Sequence, residues 1–361
     1  MKILFLTLNS SEGTLKGGDL ASKSNYDALV SIWGKDSISI VKIPEEKNVI
    51  KKYIYYLIYG SMYSRHSEQE LVKHINSLEW DFVFFDGSWF GKISNRIEKK
   101  GEVMVFFHNV EHQYSLDRLK KNPLTLCKFL SVSHNESCLI KAADYLIALN
   151  ARDERLIEKY YGKKVDLILP IALQDKFKEC DNKKNSLLDE KTLLFLGSYF
   201  TPNIEGIKWF IKEVMPDVNY HLIIAGKGME KLQKYANKKI TVLGTVADLS
   251  ELYCKADIMV MPIFSGGGMK VKMAEAMMYG KRILATKEAL TGYDISGIDA
   301  VTECNTKEEF IDTLNGIKEC ESRFCPELRQ RFMERYEQST KTQKLADFFT
   351  VIARKNKRHR K

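Results

Sequence analysis

The sequence predicts an α/β protein built as two doubly wound halves, each a parallel sheet with helices on both faces. Two observations carry that prediction. Short apolar runs without alternation (KILFLTL, SISIVKI, FVFFD, VMVFFH, YLIAL and VDLIL) recur through the first half, separated by helical stretches. Strands of this kind are buried on both sides, as in parallel sheets covered by crossover helices. The rhythm then restarts with TLLFLG, YHLIIAG, KITVLG, DIMVMP and RILAT. Between the two series it breaks near Pro170, and Asp175 to Lys191 (DKFKECDNKKNSLLDEK) is polar and lysine-rich, as an interdomain linker would be.

The expected organisation is a first domain over 1–172, a linker over 173–190 and a second domain over 191–325. Helices within 326–361 are expected to pack back on the first domain. A chain of 361 residues suits two cores better than one. Ligands of open parallel sheets bind outside the carboxyl ends of the strands, so two facing halves would offer one groove between them.

With 44% hydrophobic and 29% charged residues, the composition is that of a soluble globular protein. No run reaches the ~18 apolar residues of a membrane-spanning helix. The start, MKILFLTLNSSEG, reads as a first buried strand rather than a signal peptide. Seven cysteines, odd in number and without a C-x-x-C pair, point to neither a disulfide framework nor a zinc site, and fit a reducing cytoplasm.

The net charge of +9 is unevenly spread. The last eight residues, RKNKRHRK from Arg354 to Lys361, hold six Lys or Arg and one His. Such a run is either a solvated tail or a contact for nucleic acid or an anionic membrane. From Lys47, KNVIKKYIYYLIYGSMYSRHS interleaves lysines with Tyr53, Tyr55, Tyr56, Tyr59 and Tyr63. That mixture suits a lipid headgroup interface, and equally an amphipathic surface helix packed on its own domain.

The stretch SGGGMKVKMAEAM, Ser265 to Met277, is the most informative. DIMVMP before it is a buried strand and VKMAEAMMYG after it a helix closed by Gly280, so Gly266, Gly267, Gly268 and Met269 form a strand-to-helix turn. Bare glycine amides at the positive end of a helix accept a close anion. Lys270 and Lys272 add full charges where the helix dipole disfavours cations, which makes sense if an anion sits there. Glu275 lies one turn on, three residues from Lys272, and a carboxylate can accept both hydroxyls of a ribose. Pyrophosphate on the amides and lysines with ribose on the glutamate is one reading; a glycine turn with solvated lysines is the other.

At these residues the chain resembles the retaining, nucleotide-sugar-dependent glycosyltransferases of group 1, whose GT-B architecture has two facing Rossmann-like domains and a cleft between them. The matching segments are FLGSYFTPNIEGIKWFIKEVMP, LIIAGKG, VLGTVADLSELYCKADIMVMPIFSGGGMKVKMAEAMMYGK and ATKEALTGYD, which span residues 195–294 in order. The first half matches more loosely, through LTLNSSEGTLKGGDLAS and FFHNVEHQYS.

The resemblance implies roles residue by residue. Glu275 corresponds to the second of the family's paired glutamates, which holds the donor ribose. Val246 lies where the base is bound through backbone groups, and Gly197 and Ser198 lie at the diphosphate. Gly17 and Gly18 correspond to a first-domain glycine loop that closes on the donor phosphates. His108 corresponds to the histidine that meets the transferred sugar. His108, Lys270 and Glu275 would then serve catalysis, and Gly266 to Met269 with Lys272 the donor. Two departures stand out. The family's first glutamate would fall at Gly267, and the residue after the Gly197 turn, often basic in relatives, is Ser198.

The implied activity is transfer of a hexose with retention, from a nucleoside-diphosphate sugar to a growing surface glycan or a lipid-linked acceptor. The nucleotide sugar is a co-substrate; no other cofactor and no metal is expected, since there is no Asp-x-Asp motif. The expected place is the cytoplasm, with contact to the inner face of the plasma membrane. In HNVEHQ, His108 would end a strand and His112 begin a helix, which separates them as metal ligands. His108 reads as a cleft residue or a satisfied buried histidine, and Glu111 as an acceptor-orienting group or a helix cap. Gly226-Lys227-Gly228 lacks the third glycine of a dinucleotide fingerprint, against a nicotinamide enzyme. Three rival readings remain: a non-catalytic glycosyltransferase-like subunit that binds a partner enzyme or glycan, a nucleotide-sugar epimerase, and a nucleic-acid binder that would rest on the basic tail alone.

Overall fold

Parallel strands need crossovers, and here the crossovers are largely helical, so each half becomes a sheet layered between helices. The computed structural model describes residues 1–8, 17–43, 46, 48–179, 191–317 and 324–359. They form two units, Met1–Ile171 with Lys341–Lys361, and Ala172–Thr340.

The first unit holds β1 (Ile3–Thr7), β2 (Ile38–Lys42), β3 (Phe82–Asp86), β4 (Glu102–Phe107), β5 (Tyr145–Ala148) and β6 (Leu167–Ile168), all parallel, in the order β2-β1-β3-β4-β5-β6. Every residue of β1 is buried, whereas the edge strand β2 exposes three of its five. Leu4, Leu6, Val83, Phe85, Val105 and Phe107 join Trp80 and Phe90 in one core on one face. On the other face Phe84 stacks between Phe5 and Phe106, with ring centroids 5.5 and 6.3 Å away.

The last helix, Gln338–His359, covers that second face. Lys341, Leu345, Phe349 and Ile352 are buried, a stripe at helical spacing. Phe349 meets Trp33 and Phe82 edge to face at 5.6 and 5.4 Å. Lys341 places its amino group in this apolar setting, with Nζ 5.4 Å from the Phe106 ring centroid and donating to Ser24 Oγ at 3.2 Å. Burial pulls its pKa down to about 7, against the opposing attraction of Asp86.

The second unit holds β7 (Thr192–Leu196), β8 (His221–Ala225), β9 (Ile240–Val242), β10 (Ile258–Met261), β11 (Arg282–Ala285) and β12 (Val301–Glu303), again all parallel, in the order β12-β11-β10-β7-β8-β9. Several expectations need correction. Between β8 and β9 the connection is not an α-helix, as the strand–helix rhythm implied, but a 3-10 helix, Met229–Tyr235. Strand β12 had no counterpart in the sequence reading. Helix Pro326–Arg335, expected on the first domain, packs in the second unit beside helix Val271–Met278 and buries Leu328 and Phe332. Its basic side chains find acids there: Arg329 pairs with Asp175, and Arg331 with Asp294 at 2.8 Å. The return to the first unit therefore begins at Lys341 and not at 326.

Of the expected linker, residues 173–179 run with the second unit, where Leu173 N donates to Tyr336 O at 2.9 Å and Tyr279 Oη to Lys176 O at 3.0 Å. Residues 180–190 lie outside the described residues, as do Arg360 and Lys361 of the basic tail. Cys127, Cys138, Cys304 and Cys325 are free thiols, but Cys254 is disulfide-bonded, which the cysteine pattern did not suggest. Among the described residues no helix is long and apolar enough to cross a membrane.

Both sheets change winding direction once, between β1 and β3 in the first and between β7 and β10 in the second. The loops leaving such a pair diverge and open a crevice at the carboxyl edge. The loop after β7 also lies backbone to backbone on the loop after β8. Gly226 has φ +131°, and a Cβ there would fall 2.0 Å from Gly197 O.

Two expected outcomes follow from this packing. Gly226→Ala should cost about 2 kcal/mol or more in urea unfolding, through combined clash and backbone strain. For Lys341 the folded pKa lies below the unfolded one, so the unfolded chain binds more protons between pH 7 and about 10. Wild-type stability relative to Lys341→Met should therefore rise with pH across that window, by at most about 1.4 kcal/mol per pH unit. Parallel denaturation curves at each pH would read it, and a constant difference would contradict the burial of a neutralised lysine.

Candidate functional site

In the second unit the crevice between β7 and β10 is bordered by the two loops singled out in the sequence. Gly197 follows β7 and is held by its N–H donating to Ala225 O at 3.0 Å; Ser198 is exposed, with its carbonyl accepting from Asn203 Nδ2 at 2.9 Å. After β10 the chain runs through Gly266 and Gly268, with φ of +135° and +61°, into helix Val271–Met278. Only glycine takes such angles freely, so these residues let the turn tighten onto the helix start. Among the described residues no side chain caps that helix, whose first amides are thus left to the loop or to a ligand. Met269 is buried, so its side chain serves packing.

The two lysines are not bare charges awaiting an anion. Lys270 Nζ donates to Gly267 O and Gly268 O at 3.2 and 3.3 Å and to Glu288 Oε1 at 2.9 Å. The ammonium thus ties the glycine turn to the short helix Lys287–Leu290. Tyr293 Oη donates to Lys270 O at 2.8 Å, fixing the same residue through its backbone. Lys272 Nζ donates to both Glu275 oxygens, at 2.9 and 2.8 Å, and Tyr253 Oη donates to Glu275 Oε2 at 3.1 Å. Tyr253 is itself buried and stacked on Tyr279 at 4.5 Å. Both lysines keep part of their surface open, with side-chain exposures of 18% and 29%. The result is a rigid turn with two Lys–Glu pairs, able to offer cations and hydrogen-bond acceptors at one helix start. Val246 is half-buried in the loop after β9.

In the first unit the expected histidine sits on a buried carboxylate. His108, one residue past β4, is 7% exposed, and its Nε2 lies 2.9 Å from Asp86 Oδ1. Asp86 ends β3 and also accepts from Thr7 Oγ1 at 2.9 Å and Asn25 Nδ2 at 2.8 Å. Burial alone would raise this carboxyl, but the charge and hydrogen bond of His108, with bonds from Ser22 and Asn25, outweigh it and hold the group below the usual range. The ring is held through Nε2 by Asp86 and, at 3.4 Å, by Ser22 Oγ.

The loop after His108 is anchored from a distant helix. Glu136, buried within Leu126–Ala142, accepts from Glu111 N and Ser88 Oγ at 2.7 Å, from Tyr161 Oη at 2.7 Å and from His112 N at 3.2 Å. It therefore caps helix Glu111–Lys121, the role that Glu111 was open to. Burial pushes Glu136 up to about 7 despite those bonds. Glu111 is buried too, raised by burial and bonded to Asn109 at 3.2 Å. Gly17 and Gly18 open helix Gly17–Trp33, and residues 9–16 before them lie outside the described residues. Asp86, Glu136, Glu288 and Tyr253 were not singled out from sequence; the only signal for Asp86 is an acid closing the apolar run FVFFD.

Residues 190–317 match the family model described as Glycosyl transferases group 1. No curated protein matches the chain. Among solved structures, sucrose-phosphate synthase from Thermosynechococcus elongatus aligns with a TM-score of 0.75 at 12% identity, covering 97% of this chain and 98% of that one. HepE from Anabaena, in complex with UDP and glucose, aligns at 0.64 and 13% identity over 97% and 99% of the two chains. A UDP-forming α,α-trehalose-phosphate synthase from Burkholderia xenovorans, with glucose 6-phosphate, aligns at 0.67 and 12% over 97% and 99%. At such identities the likeness is one of fold. The second unit thus matches the group 1 glycosyltransferase model over residues 190–317, in a chain with the two-sheet GT-B fold.

Proposed function

We propose that this chain is a retaining glycosyltransferase that takes a hexose from a nucleoside-diphosphate sugar and passes it to a growing surface polysaccharide or a lipid-linked oligosaccharide. The carrying observation is the convergence at the β7/β10 reversal: the Gly197 turn, the Gly266–Gly268 turn and two Lys–Glu pairs lie at one carboxyl edge, within the family-matched residues. HepE and the trehalose-phosphate synthase, whose descriptions name UDP, are consistent with a nucleotide donor.

In this reading the diphosphate rests on the amides of Gly266 to Gly268 and the helix start, with Lys270 and Lys272 opposing the charge that develops on the leaving oxygen. Glu288 keeps Lys270 aimed before the donor arrives, and so brings to the glycine turn a carboxylate that Gly267 does not supply. Glu275 takes the ribose hydroxyls, Val246 the base, and Gly197 and Ser198 the phosphates. Gly17, Gly18 and His108 belong to the acceptor half, where His108 meets the sugar. The bond from the anomeric carbon to the diphosphate breaks and a bond to the acceptor oxygen forms on the same face. The acceptor proton leaves to the departing phosphate oxygen. No metal is assigned to this step; the chain's own cations and amides neutralise the leaving group.

The test is thermal unfolding of the full chain with UDP, GDP, ADP and CMP and the matching nucleotide sugars. One diphosphate at about 100 times its dissociation constant should add roughly 2.7 kcal/mol and raise the midpoint. Lys270→Ala should abolish that rise. With the donor so named, Lys270→Ala and Glu275→Ala should each lower turnover about 100-fold or more while both variants stay folded. Near-wild-type turnover in both would remove the site assignment. No response to any nucleotide would favour a non-catalytic subunit, the reading that Gly267 supports.

A further inference from the structure

Helix Val49–Tyr59 turns the wrong side outward for a helix of an isolated globular unit. Its Asn48 cap accepts from Ile50 N and Lys51 N, and Tyr56 is the one residue of the helix that is buried. Val49, Ile50, Tyr53, Ile54, Leu57 and Ile58 are all exposed, Val49 at 80%, Leu57 at 61% and Ile58 at 64%. Positions spaced i, i+1, i+4, i+5, i+8, i+9 make one continuous stripe along a helix, so the exposed residues form a single apolar face.

A second apolar segment joins it. Leu124, Leu126 and Leu130, at the start of helix Leu126–Ala142, are exposed as well, Leu124 at 74%. The two helices touch: Lys128 Nζ lies 6.0 Å from the Tyr56 ring centroid, and Asn135 Nδ2 donates to Gly60 O, just past the first helix, at 2.8 Å. Nine of the seventeen large hydrophobic side chains exposed among the described residues thus lie on two adjoining segments. That is a patch and not scatter, and patches of this kind mark interaction surfaces.

Charge identifies the occupant. Lys51, Lys52, Arg118, Lys120, Lys121 and Lys128 lie in residues 48–60 and 117–130, against Asp117 as the only acid. The cations crowd one another: burial first, then repulsion from Arg118 and Lys52, pulls the Lys128 ammonium down. A second copy of this chain docking through the same patch would bring these like charges together. An anionic bilayer offers acyl chains for the leucines and isoleucines, an interface for Tyr53 and Tyr55, and headgroup charge for lysines on flexible stems. We propose that the face formed by helix Val49–Tyr59 and the start of helix Leu126–Ala142 docks this protein on an anionic lipid bilayer. This surface shares no residue with the donor loops, and the proposal holds whatever nucleotide the second unit takes.

The test is flotation of the full chain with vesicles of phosphatidylcholine mixed with phosphatidylglycerol, and with phosphatidylcholine alone. Wild type should float with the mixed vesicles, less so with added salt. Leu57→Ser combined with Leu126→Ser should weaken that binding about tenfold or more with an unchanged unfolding midpoint, because both side chains are already in water. Lys51→Gln with Lys121→Gln should weaken binding to the mixed vesicles and blunt its salt dependence. Absence of flotation, or equal flotation of the apolar double variant, would overturn the proposal. So would loss of all vesicle binding on deleting Arg354 to Lys361, which would assign it to the basic tail. A dimer in sedimentation that the apolar variant converts to monomer, without vesicle binding, would assign the face to protein docking.

Discussion

A parallel sheet buried on both faces must return every connection over one face or the other, and the place where the winding reverses is the one place where neighbouring loops part. Both sheets obey this constraint and the rest of the structure is arranged around it. In the second unit the reversal separates β7 from β10, and the loops leaving those strands are the Gly197 turn and the glycine turn at 266–268. The first unit reverses between β1 and β3, and there Thr7 and Asp86, the last residues of those strands, are joined by a hydrogen bond of 2.9 Å. Position at the carboxyl edge is a consequence of topology, and the residue types placed there decide what it can bind.

Carboxylates hold both edges in shape. Asp86 gathers Thr7, Asn25 and His108, so that one buried anion fixes two strands, a helix and the ring that follows β4. Glu136 does the same for the loop that begins helix Glu111–Lys121. In the second unit Glu288 and Glu275 each restrain one lysine of the glycine turn. A buried charge is stable only when fully hydrogen-bonded, and that demand makes these groups rigid. Preorganisation of this kind is what lets fixed dipoles and charges act on a charge that develops during a reaction.

The last helix belongs to the same logic. Its buried stripe covers the Phe5, Phe84 and Phe106 face, and Lys341 enters that face near Asp86 with Ser24 as its hydrogen-bond partner. A lysine so placed brings the C-terminal segment under electrostatic influence of the carboxylate that holds His108. The outward apolar face of Val49–Tyr59 is the opposite case: the helix packs against helix Leu126–Ala142 and buries Tyr56, while its other hydrophobic side chains stay exposed.

By itself the sequence determined the fold class and the donor-side loop, because both are local. Five-residue apolar runs need no partner to be recognised as buried parallel strands, and three glycines, two lysines and a glutamate within SGGGMKVKMAE are contiguous. Tertiary structure alone decided the pairings that span long separations. Asp86 meets Thr7 from 79 residues away and Asn25 from 61, and Lys341 meets Ser24 across 317. Neither residue type nor spacing marks such partners, since folding brings them together only after the sheet order is set. Strand β12, three residues long and half-exposed, escaped for the same reason: pairing with β11 defines it, not its own pattern. Helix Val49–Tyr59 shows the limit most plainly. VIKKYIYYLIY carries apolar side chains on nearly every side, so its periodicity announces a helix without saying which face is buried. The neighbouring helix, by claiming Tyr56, made that choice.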